Sequence, residues 1–219
     1  GGKVSGKNSS GVINTLEFGN MQLRLGLTRS ELDSAYINAF FDLFRPFGAQ
    51  GNAIADRYDF ASTPLEAAVL GAHYDPGNWF AMAEWIRIDT ESFLGTSRAW
   101  YVSGGLHYGK FTPFMTYARK DSVDQLAREP GLDLGALPLA LQGYAAGLNA
   151  GLAGFLRPTD SATLSAGTRW DFSRHASFTL QFDHVRAAAG SFGALANVQP
   201  GLAPGGSTNV LTAAFSFVY

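Results

Sequence analysis

The sequence predicts an all-β fold of antiparallel strands, of which eight or nine can be recognised. Three observations indicate this fold: apolar and polar residues alternate along the C-terminal stretch, one short motif occurs three times, and glycine and aromatic residues are abundant. Successive side chains of a strand point to opposite faces, so the alternation describes a sheet with one apolar and one polar face. Such a sheet suits an antiparallel transmembrane β-barrel, in which one face meets lipid and the other meets water.

Composition excludes several classes of protein. The 219 residues include no cysteine, so neither a disulfide framework nor a thiolate site is possible. A net charge of −2 argues against a nucleic-acid partner or a polybasic membrane anchor. Mean hydropathy near zero is too polar for a bundle of membrane-spanning helices, but it fits strands that are apolar on one face only. The 26 glycines and the 17 Phe, 8 Tyr and 4 Trp fit strands, turns and interfacial aromatic side chains.

The C-terminal stretch, residues 209–219, is the most regular strand. Its aromatic side chains Phe215, Phe217 and Tyr219 share one face with Leu211, and small or polar residues occupy the other. An edge this apolar would promote aggregation of a soluble domain, whereas a strand that closes a barrel in lipid leaves no exposed edge. The alternative interpretation is the last strand of a soluble β-sandwich.

The N-terminal part contains two predicted strands. Residues 1–10 are expected to be a loop or a disordered lead-in, because Gly, Ser and Asn dominate them. A short strand over 13–18 follows, and Gly19-Asn20 supplies a tight turn into a strand over 21–29. The second strand alternates strictly, and its polar face carries Arg24.

A change of period predicts a long loop over 30–61 that contains a helix. Aromatic and apolar residues recur at helical spacing over 31–45, Ser30 with Asp33 resembles a capping box, and Arg45-Pro46 ends the run. The alternative to a functional role for this helix is an ordinary surface loop.

An internal repeat supports the barrel. Gly71-Ala-His-Tyr-Asp75, Gly105-Leu-His-Tyr-Gly109 and Gly167-Thr-Arg-Trp-Asp171 each end one strand beside a tight turn, and a return strand follows. In each unit the glycine and the basic residue share one face, and the aromatic residue lies on the other. The aromatic residues would form a girdle at one membrane interface. Its expected members are Tyr74, Trp79, Tyr108, Trp170 and Phe178.

Short turns alternate with long connections, which the sequence places at 30–61, 88–97, 122–158 and 187–206. In the third of these, residues 134–156 are uncharged and long enough to suggest a transmembrane helix. Pro138 and several glycines argue against that helix, so we expect one packed in or over the mouth of the barrel. The predicted strands lie at about 13–18, 21–29, 64–74, 79–89, 99–108, 111–120, 161–172, 177–186 and 208–219.

Four segments carry a family resemblance: Leu70–Phe80 with Glu84, Trp100–Pro113, Ala166–Asp171 and the terminal Phe-Ser-Phe-Val-Tyr. They resemble the C-terminal part of porin-like outer-membrane proteins of Gram-negative proteobacteria. The likeness extends over residues 11–219, which would form an outer-membrane β-barrel with long outer loops at 30–61 and 122–158. It implies a barrel of the sixteen-stranded type, often a homotrimer, of which this chain would be part. A smaller barrel of related sequence is the alternative.

The resemblance implies a channel for passive diffusion of small hydrophilic solutes, located in the bacterial outer membrane. The short turns and the C-terminus would be periplasmic, and Phe215, Phe217 and Tyr219 would be recognised by the barrel-assembly machinery. Charge and constriction size set selectivity in such pores. The pore-lining candidates are Arg24, His73, Glu84, Tyr101, His107, Arg169, Gln181 and Asp183, and the constriction candidates are Asp42 and Arg45. A solvated position with no individual role explains each of them equally, because a lumen must be polar.

No catalytic residue, cofactor or metal ion is expected. The histidines, His73, His107, His175 and His184, have no metal-binding spacing, and no nucleophile motif occurs. Two other functions stay open: an enzyme assembled from distant strands, and an adhesin or structural anchor that uses the apolar loop over 131–156.

Overall fold

The computed structural model describes residues 3–90, 92–123, 129–193 and 203–218, and in them nine strands form one sheet. All neighbouring pairs are antiparallel, and the strands follow one another in chain order. Among the described residues β1 and β9 do not pair with each other, so the sheet is open. The predicted all-β antiparallel architecture is confirmed. The strands are β1 (Ser5–Phe18), β2 (Met21–Asp33), β3 (Thr63–Tyr74), β4 (Trp79–Thr90), β5 (Ser97–Leu106), β6 (Phe111–Ser122), β7 (Ser161–Trp170), β8 (Ala176–Ala187) and β9 (Ser207–Phe217).

Short turns join the strands at one end of the sheet, which we call the turn end, and long connections join them at the other, the loop end. Three of the four short turns contain a glycine at positive φ, which a side chain rarely allows. These are Gly19 at 57°, Gly77 at 102° and Gly109 at 61°. The tight turns predicted beside the repeated motif are therefore present.

Strand register defines two faces. Arg24 pairs with Gly71, which pairs with Glu84, which in turn pairs with Tyr101, so these residues share what we call the polar face. One residue along, the row Leu25, Leu70, Trp85 and Trp100 lies on the opposite, apolar face. Along β4 and β6, polar-face residues are more screened from solvent than their apolar-face neighbours through most of the strand. The sheet thus shields its polar face and exposes its apolar face.

The N-terminal boundaries differ from the prediction. β1 begins at Ser5, so residues 5–10 are strand and not the expected loop. Polar contacts across the hairpin hold them: Lys7 forms an ion pair with Asp33, and Asn8 donates to the Glu31 carboxylate at 2.9 Å. A register shift between Lys7 and Ser10, with Asn8 at a φ of 48°, marks a bulge in this segment.

The helix of the first long loop starts later than predicted. β2 continues to Asp33, and helix α1 spans Ala35–Asp42 with Ser34 as its N-cap. The expected capping box at Ser30 is wrong, because the Ser30 hydroxyl bonds across the hairpin to Ser9 Oγ at 2.8 Å. A 3₁₀ turn at Arg45–Phe47 and a second helix, α2 (Gly48–Arg57), follow, and the sequence did not predict α2.

The third long connection contains a 3₁₀ turn at Leu134–Ala136 and helix α3 (Leu139–Phe155). The expected helix in this loop is therefore present. Within the described residues, no helix combines the length and the apolarity needed to cross a membrane. Of the fourth connection, only residues 188–193 and 203–206 are described.

The buried core lies in the loops and not in the sheet. Apart from Ala187, every buried apolar side chain among the described residues belongs to the connections that follow β2, β4 and β6. These connections pack together at the loop end as a single helical unit, which we call the cap. Its core consists of Ile37, Phe41, Phe44, Ile54, Ala55, Tyr58, Phe60, Phe93, Leu132, Ala145, Leu148 and Leu152.

Candidate pore-lining face and loop cap

The polar face carries all the residues that the sequence suggested as pore-lining. Arg24, Glu84 and Tyr101 lie in one paired row, as described above. His73 and Asp183 lie in the next row towards the turn end, which also contains Met82, Ser103, Thr116 and Ser165. Gln181 and Arg169 lie one and two rows further, and His107 follows β5 at the turn end. The structure therefore brings these residues onto one surface.

Charges of both signs alternate on this surface. The Glu84 carboxylate bends over Gly71, so that its Oε2 lies 3.6 Å from where a Gly71 Cβ would be, and Arg24 Cβ lies 3.7 Å from the same point. Further along, Arg169 Nε donates to Asp171 at 2.9 Å, and Gln181 Nε2 donates to Asp183 at 2.7 Å. The polar face thus carries hydrogen-bond donors and acceptors and charges of both signs.

Two phenylalanines of the polar face lie over glycines of the neighbouring strand. A Cβ on Gly105 would lie 2.4 Å from the Phe80 ring, and one on Gly167 would lie 2.6 Å from the Phe114 ring. Register places all four residues in one row, in the order Phe80, Gly105, Phe114, Gly167. Each ring thus fills the space that its glycine leaves empty. Two of the three glycines of the repeated motif, Gly105 and Gly167, have this packing role, which the sequence alone did not reveal.

A polar cluster lies at the turn end. His107 Nε2 lies 3.2 Å from Asp75 Oδ2, and its Nδ1 lies 3.3 Å from Thr112 Oγ1. The Gly77 backbone N–H donates to Asp75 Oδ1 at 2.8 Å. That hydrogen bond, helped by His107, lowers the pKa of Asp75 below its ordinary value of 3.8. Asp75 is therefore an anion that fixes both the turn and the imidazole.

His73 and His107 do not form a metal pair. Phe80 lies between them, with its ring centroid 6.3 Å from the His73 ring and 5.8 Å from the His107 ring. In the part of the chain that the structure describes, no group of three or more His, Asp or Glu side chains is arranged to hold a metal ion. The three rings, tilted to one another by 48° and 41°, form part of the polar face.

The apolar face carries two rows of aromatic side chains. At the turn end, Tyr74 packs on Trp79 at 5.3 Å, and Phe111 stacks on Trp170 at 5.9 Å. The second row, with Trp85 paired to Trp100, lies six residues further along β4, or about 20 Å at the usual rise per residue. Tyr108 lies in the turn after β5, which ends at Leu106 and not at 108 as predicted, and it is bridged to Phe111 with 81% of its surface exposed.

Aromatic contacts hold the cap together across three connections. The Phe41 ring lies 5.3 Å from Tyr58 and 5.7 Å from Phe155, and Phe93 lies 5.2 Å from Phe155. Burial raises the pKa of the Tyr58 phenol, and the Glu129 carboxylate adds to that rise. A fourth aromatic pair, Phe40 with Phe155 at 4.8 Å, completes the junction of α1 and α3.

Two side-chain amides, one half-buried and one exposed, add hydrogen bonds to the cap. The Asn149 side chain accepts from the Leu132 N–H at 2.8 Å and donates to the Leu132 carbonyl at 2.9 Å. Gln50 donates to the Gly131 carbonyl at 2.8 Å and accepts from the Asp133 N–H at 3.0 Å. The connections after β2 and β6 are therefore joined by both side-chain packing and amide pairing.

The two constriction candidates lie in the cap. Arg45 donates to Asp42 at 2.8 Å and to Asp56 of α2 at 2.7 Å. These two carboxylates, Asp42 first, raise the pKa of Arg45. All three side chains are exposed at the surface of the cap and form a small charged network. The sequence had suggested only Asp42 and Arg45 as constriction candidates, and Asp56 is added by the structure. Tyr219, expected to be recognised with Phe215 and Phe217, lies outside the described residues.

No protein-family model matches this chain, and no curated protein matches it either.

Proposed function

We propose that the protein is an outer-membrane channel through which small hydrophilic solutes diffuse passively. The observation that supports it is the division of one sheet into a polar face with paired charges and an opposite face that exposes large apolar side chains. In water, such an apolar face would be covered by a second layer of structure. In a bilayer, lipid covers it and the polar face lines an aqueous lumen.

The open sheet supports a barrel with more strands than the nine described. Within the described ranges, neither β1 nor β9 has a partner strand at its outer edge, and each backbone group left unpaired in hydrocarbon would cost several kcal/mol. We infer that further strands, from the same polypeptide or another, complete the wall. Larger barrels enclose water, whereas barrels of about eight strands are filled by side chains.

Planar-bilayer conductance tests the channel directly, and ion selectivity tests the assignment of the faces. Glu84→Gln removes an anion from the proposed lumen, so we expect the reversal potential in a salt gradient to shift towards anion preference. Glu66→Gln is the matched control, because Glu66 lies on the apolar face at the loop end, in register with Arg29. We expect no shift for this control.

Absence of conductance from the folded protein would contradict the channel. Equal shifts for the two variants would contradict the assignment of the polar face to the lumen, because both remove one negative charge and only Glu84 lies on the polar face.

The second candidate is a structural anchor or adhesin, and the cap is the observation that favours it. The cap has its own aromatic core, and it exposes Tyr36, Leu139 and Tyr144 at 65%, 85% and 52%. An adhesin would present such a folded unit to a partner at the cell surface. It would bind through the cap and conduct no ions, so the same bilayer recording separates the two functions.

A further inference from the structure

A cleft opens at the loop end between β6 and β8. Its volume is about 470 Å³, and its walls include Arg119, Ala162, Arg186, Gly190 and Gly205. Register places Arg119 directly beside Ala162, and Ala162 directly beside Arg186, so all three point to the apolar face. Two arginines therefore flank one small residue.

The spacing lets both arginines reach one ligand. Two strand separations of about 4.8 Å put the backbones of Arg119 and Arg186 roughly 10 Å apart, and each long side chain can lean over Ala162. Guanidinium groups bind phosphate oxygens in pairs, with planar donors that match the geometry of the anion. The methyl group of Ala162 leaves the space between them open.

The charge of the cleft also favours an anion. Arg119 contacts the Asp121 carboxylate through Nε, at 2.9 and 3.0 Å, and through Nη2, at 2.9 Å, so its Nη1 and one N–H of Nη2 are left for a ligand. Arg186 forms no ion pair with any described carboxylate. Asp160 lines the cleft too, but it accepts a hydrogen bond from the Ser122 backbone N–H. Lys120 and Asp121 complete the charged lining, but Lys120 follows Arg119 in the strand and therefore points to the polar face.

The position of the cleft fits an amphiphile. Trp100 pairs with Arg119, so the arginines continue the aromatic row that contains Trp85. Below them on the same face lie Tyr117 paired with Leu164, which is 48% exposed, and then Met115, which is 58% exposed. A ligand with a phosphate at the arginines would extend its chains along these apolar side chains.

We propose that this cleft binds the phosphate headgroup of a membrane lipid, with Arg119 and Arg186 as the paired phosphate ligands. The inference rests on the proposed function only in placing the apolar face in a bilayer. It does not require that the protein conduct, since neither arginine lies on the polar face.

The test uses the protein extracted as it assembles in membranes, in a maltoside detergent that contains no phosphate. Binding of phosphatidic acid is titrated by native mass spectrometry, with diacylglycerol of the same chains and inorganic phosphate as parallel ligands. We expect phosphatidic acid to bind tightly and the other two weakly, because diacylglycerol lacks the phosphate and inorganic phosphate lacks the acyl chains.

Arg119→Gln/Arg186→Gln should weaken phosphatidic acid binding about tenfold or more, since it removes both charge-assisted donors. Arg29→Gln/Arg98→Gln is the matched control: it removes the same charge from exposed apolar-face positions outside the cleft, and we expect less than about a threefold change. Ala162→Phe keeps every charge and fills the gap, so it should weaken binding as well. A heat-shifted band on a gel verifies that each variant is folded.

Equal losses for the two double variants would overturn the site in favour of general charge attraction. Inorganic phosphate bound as tightly as phosphatidic acid would overturn the lipid assignment. Unchanged binding by a folded Ala162→Phe would overturn the geometry, even if the double variant failed to fold. A protein that binds lipid here but does not conduct would contradict the channel and leave this site standing.

Discussion

Replacing Gly105 with alanine tests the packing of the polar face. The added Cβ would lie 2.4 Å from Phe80 Cε1 and 2.6 Å from the backbone oxygen of Pro113. Carbon atoms pack best at about 3.5–4.0 Å, so the ring would have to move by roughly 1 Å or more. The Pro113 oxygen belongs to the neighbouring strand and cannot move without disturbing the sheet.

The matched control is Gly104→Ala, one residue earlier in β5. Gly104 faces the other way, and its added Cβ would meet only the Phe80 carbonyl oxygen at 3.4 Å, an ordinary contact. Both substitutions restrict the unfolded chain equally, which stabilises by about 0.5–1 kcal/mol. The difference between them therefore isolates overpacking, for which we expect Gly105→Ala to be less stable by about 1–3 kcal/mol.

Unfolding of the two variants in urea, followed by tryptophan fluorescence in lipid vesicles, measures that difference. If Gly105→Ala unfolds at the same midpoint as Gly104→Ala, the ring does not fill the space above the glycine and the reasoning fails. Phe80→Ala combined with Gly105→Ala should recover only part of the loss, because the Pro113 oxygen remains in place.

Three further predictions follow from the cap and the turn end. Asn149→Ala leaves two backbone groups of the cap without their partner, so we expect a local loss of about 1–3 kcal/mol and faster proteolysis within residues 129–160. Phe41→Ala, at a side chain only 1% exposed, should cost about 3–5 kcal/mol of cap stability and expose the loops to protease while the heat-shifted band persists. Asp75 has a pKa lowered by the Gly77 N–H and His107, so the stability it contributes is present above pH 4 or so and is lost as pH falls through its folded pKa. Urea titrations of wild type and Asp75→Asn should thus differ at pH 7 and converge in acid; a difference that persists in acid would contradict this account.

The faces of the sheet could be predicted because two local rules are enough to define them. Alternation assigns each residue of β2 to a face, and short turns carry that assignment into the next strand. The repeated glycine, basic residue and aromatic residue add a marker near the turn end of β3, β5 and β7. Arg24 and Glu84 could therefore be assigned to the same face from the sequence, without knowing the distance between them.

The ends of β1 and β2 could not be predicted from local composition. Residues 5–10 read as a loop because Gly, Ser, Lys and Asn are weak strand formers. Their partners across the hairpin, Glu31 and Asp33, supply the ion pair and hydrogen bonds that keep them in the sheet. The same extension moved the start of α1 from Ser30 to Ser34, since a residue that is paired in a strand cannot cap a helix.

The cap escaped prediction because its contacts are long-range. Helix α2 contains two glycines in ten residues, which disfavour helix, and Ile54 is its only large apolar residue, so its helical spacing is a weak signal in the sequence. One of those glycines is required by the tertiary structure: a Cβ on Gly51 would lie 1.9 Å from the Phe44 carbonyl oxygen. Phe93 and Phe155 reach the same core from separate connections. Both are more than 50 residues from Phe41 in the chain, so local sequence patterns do not predict that they contact it.

The cap and the sheet are stabilised in different ways, because the buried core lies in the cap. A water-soluble sheet is stabilised by apolar side chains buried between layers, but here the apolar face stays exposed and the buried side chains belong to the cap. The cap carries its own hydrophobic driving force, whereas the sheet has backbone hydrogen bonds, cross-strand pairs and an uncovered apolar surface. Under the proposed function, lipid supplies the missing layer. Substitutions in the cap should then act alike in detergent and in bilayers, and those on the apolar face should depend on the surrounding amphiphile. That contrast follows from where the burial lies, and it separates the membrane assignment from the alternative of a soluble sandwich.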